Sequence, residues 1–101
     1  MSLNRYNPKR DKNEREIISA CLKLGAKVWQ QSRPCDLLLA YCGEFLTFEV
    51  KDGSLPPSAR KLTDYEAEYA ELCAEIGVPH FLVTSAEQAV AILVERRGRS
   101  H

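Results

Sequence analysis

Apolar residues recur along this chain with two different periods. Ile17, Ile18, Cys21 and Leu22 fall at helical spacing, Asp11 stands ahead of them as the expected N-cap, and Gly25 ends the run. Residues 26–30 then predict a short strand, and residues 31–35 a loop around Pro34. Residues 36–41 are apolar after their first position, and 44–51 form a third strand-like run, with Cys42-Gly43 as a tight turn between them. Gly53, Pro56 and Pro57 make 52–61 a loop. Thr63 with Glu66 three residues on is a capping-box pattern, opening a helix whose apolar face is Tyr65, Tyr69, Leu72, Cys73 and Ile76. Gly77 and Pro79 close that helix. Residues 80–84 predict a fourth strand. Ser85 with Gln88 opens a third helix lined by Ala86, Ala89, Val90 and Leu93. The order is α-β-β-β-α-β-α, with no internal repeat.

The turn has a chemical consequence. If Cys42-Gly43 is a two-residue loop, Tyr41 pairs with Glu44, and counting outward puts Asp36 opposite Glu49. A three-residue loop would instead put Asp36 opposite Val50. Residues directly opposite share a face, with Cβ atoms about 4.5–5.5 Å apart. Lys51 lies on the Glu49 face, one pleat on. Two facing carboxylates in an apolar hairpin repel each other and resist ionisation. A divalent cation reverses that balance, because Mg²⁺ favours oxygen ligands and keeps several waters. Lys51 could then orient a water, act as its base or meet developing negative charge. The competing reading is a salt bridge from Lys51 to Glu49 or Asp36. The Glu-x-Lys string alone favours that reading. Asp36 opposite, both strands apolar and a Gly/Pro loop at the strand end favour a site.

The segments Asp36-Leu37-Leu38-Leu39 and Phe48-Glu49-Val50-Lys51-Asp52-Gly53 resemble the PD-(D/E)xK nuclease superfamily, most closely small phage-type members related to VRR-NUC domains and Holliday-junction resolvases. The likeness runs over about residues 10–94 and includes "DKNEREII", "LTDYEAEY" and "VTSAEQAVAIL". One departure is Cys35, which stands between Pro34 and Asp36. The resemblance implies an α/β fold with a restriction-endonuclease-like αβββαβ core, a mixed four-stranded sheet flanked by helices, and an extra C-terminal helix. It implies a metal-dependent endonuclease acting on DNA phosphodiesters, including branched or nicked DNA, and working as a homodimer. Mg²⁺ is the implied cofactor, with Mn²⁺ able to substitute. Asp36, Glu49 and the Val50 carbonyl are the implied metal ligands and Lys51 the catalytic lysine. A further acid on the first helix is implied. Glu14 is preferred over Glu16 because it shares the stripe of Ile17, Ile18 and Cys21, although Asp11-x-x-Glu14 also reads as a cap. Glu66 stands where related proteins carry a polar site residue, and capping is its favoured role.

Composition narrows the remainder. The chain of 101 residues corresponds to about one domain, expected over 11–96 with a basic arm at 1–10 and a basic tail at 97–101. The formal net charge is zero, which excludes a uniformly basic coat. Positive charge gathers at the ends, and the stretch from Asp64 to Glu75 is acidic. Arg10, Arg33, Arg60 and Lys61 are the expected nucleic-acid contacts. Trp29 is expected as a core or interface aromatic, with base stacking less favoured, and His80 as structural. The four cysteines form no C-x-x-C pair, which argues against zinc and for reduced, hydrophobe-like thiols in a cytoplasmic setting, a host cytoplasm included if the protein is phage-derived. No signal peptide, membrane span or organic cofactor is expected. The alternative function is a catalytically inactive nuclease-fold protein that binds nucleic acid or a partner protein, and a weaker third is a purely structural or inhibitory one.

Overall fold

A computed structural model describes residues 13–99. The elements are α1 (Glu14–Lys23), β1 (Lys27–Gln30), β2 (Leu37–Tyr41), β3 (Glu44–Val50), a 3₁₀ turn (Pro57–Arg60), α2 (Asp64–Ile76), β4 (His80–Val83) and α3 (Ala86–Arg99). The protein is thus α/β, with a four-stranded mixed sheet flanked by helices. The sheet order is β1-β2-β3-β4, antiparallel except for the parallel β3–β4 pair.

The β2–β3 hairpin is the centre of the sheet. Tyr41 pairs with Glu44 and Leu37 with Phe48, so the loop is Cys42-Gly43 alone. Both loop residues have positive φ, 51° at Cys42 and 84° at Gly43. That twist matches the right-handed twist of the strands and fixes the register.

Alternation along the strands then builds two faces. Leu37, Leu39 and Tyr41 of β2, Leu46, Phe48 and Val50 of β3, and Val83 of β4 share one face and are buried. With Ile17 and Cys21 of α1 and Ala89 and Leu93 of α3 they form the core. Each fully buried large side chain there contributes about 1.5–3 kcal/mol by leaving water. The opposite face carries Thr47 and His80, and α2 packs there through Tyr69, whose ring meets the His80 ring edge-on at 4.9 Å. Thr47 Oγ1 lies 2.6 Å from His80 Nδ1. Burial pulls the His80 pKa down, so His80 is a neutral structural group. Arg96 fixes the far end of α3 by a two-pronged bond to Glu44, 2.8 Å from Nε and 2.9 Å from a terminal nitrogen.

Several expectations change. The N-cap of α1 is Asn13, not Asp11, and its side chain makes no cap bond. It is drawn away to long-range partners described below. Residues 1–12 and 100–101, and with them Asp11, Arg10 and the expected arm, lie outside the described residues. The final helix runs on through Arg99, past position 96 where the folded unit was expected to end. The α2 capping box forms with both of its bonds, and Gly77 adopts the left-handed cap. At α3, Ser85 Oγ accepts from Gln88 N–H as expected, but the Gln88 side chain reaches back to Thr84 N–H. The apolar face of α2 is largely uncovered, since only Cys73 is buried while Tyr65, Leu72 and Ile76 are exposed. Trp29 is not a core residue; it too is exposed. Cys21, Cys35 and Cys73 are buried thiols, whereas Cys42 is exposed on the hairpin turn.

Candidate functional site

The site is built at the end of the hairpin away from its turn. One step beyond the Leu37–Phe48 rung, Asp36 faces Glu49. The Asp36 carboxylate is anchored by the Val50 N–H, which donates to Oδ2 at 2.8 Å. Glu49 is only 3% exposed, on a strand with Leu46, Phe48 and Val50 buried around it. Burial first, and then hydrogen bonding and repulsion from Asp36 and Glu66, push its pKa up to about 9. The carboxyl is therefore protonated at neutral pH in the absence of a cation. Its Oε1 is buried and has no hydrogen-bond partner. An orphaned carboxyl oxygen of this kind costs stability unless something outside the protein satisfies it.

Lys51 leaves the same face toward the start of α2, where its Nζ lies 2.9 Å from Glu66 Oε1. That same oxygen accepts the Thr63 N–H at 2.9 Å, so one atom serves both the helix cap and the lysine. Burial opposes the charge on each member. The Glu66 contact outweighs it and holds the Lys51 ammonium above its usual range. The Thr63 N–H and Lys51 likewise hold Glu66 below the usual carboxylate range.

The backbone beneath Lys51 is clamped from the other layer. Asn13 Nδ2 donates to the Lys51 carbonyl at 2.9 Å and to the Thr84 carbonyl at 2.6 Å. Lys51 N–H donates to Val83 O at 3.0 Å. Gly53 runs so close to Thr84 that a Cβ there would lie 3.1 Å from the Thr84 Cβ. The strand ends that carry the site are thus fixed by side-chain and main-chain bonds, and by close packing.

Asp36, Glu49 and Lys51 are brought together, and Glu66 joins them. Glu66 was read from sequence mainly as a cap; its second role is invisible there because the capping box accounts for it fully. Val50 contributes its N–H to Asp36. Glu14 is buried in the α1 layer, where its Oε2 accepts from Gln30 Nε2 at 3.1 Å. The carboxyl groups that act on Glu49 are Asp36 and Glu66. Arg33 stacks on Tyr65 of α2 at 4.4 Å. Arg60 closes the 3₁₀ turn with a buried, unpartnered Nε, and Lys61 follows it, exposed. Asn13 was not anticipated; its signal is long-range and leaves no local pattern.

Among the described residues, no group of three or more His, Cys, Asp and Glu side chains is arranged to hold a metal ion. The donor set available to a cation is the Asp36–Glu49 pair, hard oxygens of the type Mg²⁺ prefers, completed by water. The orphaned Glu49 Oε1 fits that use. Comparison of the chain with protein-family models, with curated proteins and with solved structures gives no match. Among the described residues, no helix is long and apolar enough to cross a membrane.

Proposed function

We propose that the protein is a Mg²⁺-dependent endonuclease that hydrolyses DNA phosphodiesters, built on a restriction-endonuclease-like core. The observation that carries this reading is Glu49, a buried residue opposite Asp36 with one carboxyl oxygen unpartnered, with the Lys51 ammonium on the same face. A protein gains nothing in stability from two opposed carboxyls in an apolar hairpin, and function is the usual reason for such a cost. Asp36 and Glu49 would hold the cation. Bound there, it would acidify a water and neutralise charge on a phosphoryl oxygen. Asp36 is held in place by the Val50 N–H. Glu49 would give up its proton to such a cation. Lys51, held charged by Glu66, stands ready to meet the negative charge that grows on the phosphate oxygens. Three buried free thiols fit a reducing, cytoplasmic setting.

The test is incubation with Mg²⁺ or Mn²⁺ and single-stranded, duplex, flapped and four-way DNA. Cleavage is expected from the parent chain and is expected to be lost in Asp36→Ala, Glu49→Ala and Lys51→Ala. Cleavage that survives all three changes would overturn these roles. Tight binding with no cutting in either metal would favour a nuclease-fold binding protein instead.

A further inference from the structure

The sheet face that carries Glu49 also carries an uncovered aromatic pair. Trp29 of β1 pairs with Leu38, and Phe45 of β3 pairs with Ala40, so both rings stand on one face, diagonally across β2. Their centroids are 6.5 Å apart and the ring planes are tilted by 46°. Trp29 is 47% exposed and Phe45 61%, large fractions for residues of this type. By strand alternation Phe45, Thr47 and Glu49 share the face, which puts the pair about 14 Å along β3 from the carboxylates.

We infer that Trp29 and Phe45 form a stacking platform for unpaired bases of the nucleic acid whose backbone reaches the Asp36–Glu49 site. This rests on the proposed nuclease reading and narrows its substrate to DNA with a single-stranded portion. Charge supports the route. Lys27 is exposed in the same rung row as Phe45. On the other flank the groove along α2 is lined by Glu68, Glu71 and Glu75, which repel a phosphate chain. A strand leaving the site is therefore steered along β1 and β2, over the two rings. Aromatic faces accept any base, so the platform sets strandedness and leaves sequence open.

Trp29 is the only tryptophan, so its fluorescence reports the platform directly. In chelator, a short single-stranded oligonucleotide is expected to quench it. A blunt duplex or an abasic oligomer of equal charge should quench much less. Phe45→Ala keeps the reporter and Trp29→Ala removes the larger ring; each should weaken single-strand binding by about five- to 150-fold while duplex binding changes little. Trp29→Phe should recover most of the affinity. Cleavage with no quenching, and affinity unchanged in both alanine variants, would overturn the platform and leave the nuclease reading standing. Quenching by single strands with no cleavage in any metal would do the reverse. Self-association of the protein alone that is abolished by both alanine variants would make the pair a protomer interface, and would also overturn the inference.

Discussion

Lys51 and the helix-capping Glu66 share a single oxygen with the Thr63 backbone, the ammonium and the amide each 2.9 Å from Glu66 Oε1. The start of α2 and the charge state of the site lysine are therefore one structural fact. Glu66→Gln keeps an acceptor oxygen for the cap and removes the negative charge. It should lower the Lys51 pKa, seen as an earlier alkaline titration of its side chain by NMR, at a stability cost of about 1 kcal/mol. Glu66→Ala should cost more, because the cap is lost as well. An unchanged Lys51 titration in both would disprove the coupling.

Glu49 supplies a pH dependence of definite sign. Its folded pKa is raised from 4.5 to about 9, so the folded chain binds a proton that the unfolded chain releases. Its contribution is fully present below pH 4.5 and is lost as pH rises toward 9. Glu49→Gln mimics the protonated carboxyl and removes this dependence. In chelator the variant should exceed the parent in stability by on the order of 1–3 kcal/mol near pH 7, and the gap should widen up to pH 9 and vanish near pH 4. Paired thermal melts across that range are the measurement; a variant less stable than the parent at pH 8 would refute the account.

Cation binding should expel that proton. Calorimetry with Mg²⁺ or Mn²⁺ at pH 7, repeated in buffers of different ionisation enthalpy, should show release of close to one proton per ion. The same ions should raise the melting temperature of the parent and leave Asp36→Asn and Glu49→Gln unmoved. Equal stabilisation of all three would place the ion elsewhere.

Cys42 has φ of 51° in the hairpin turn, a region that costs a side chain with a Cβ but suits asparagine and glycine. Cys42→Asn should stabilise the protein by about 0.5–1 kcal/mol and remove its exposed thiol. Denaturant unfolding with an unchanged slope checks this.

What could be read from the residues alone follows the range of the interactions. The two-residue turn, the α2 capping box and the Gly77 stop depend on neighbours within four positions, and counting outward from that turn puts Asp36 opposite Glu49. Boundaries fixed by distant partners were not legible. Asp11 looked like the better cap for α1 because nothing local reveals that Asn13 binds carbonyls at Lys51 and Thr84. Periodicity marked Leu72 and Ile76 as part of the apolar face of α2, but amphipathic spacing shows only that one face is apolar. Whether anything covers it is a tertiary fact, and here both residues stand exposed. The same limit applies to Trp29, which stands exposed on β1, an edge strand of the sheet. Glu14 was correctly placed on the buried stripe, yet the stripe does not specify that Gln30 meets it.

The Asn13 clamp joins positions 71 residues apart, across almost the whole described chain. On the ribosome, the first helix must wait for the next 71 residues before its leading asparagine finds Thr84. Until then the ends of β3 and β4 lack this latch. A nascent or truncated chain that stops short of β4 can hold the hairpin and its two acids, but it lacks the assembled centre. The chemistry proposed here is thereby confined to molecules whose synthesis has run past Thr84.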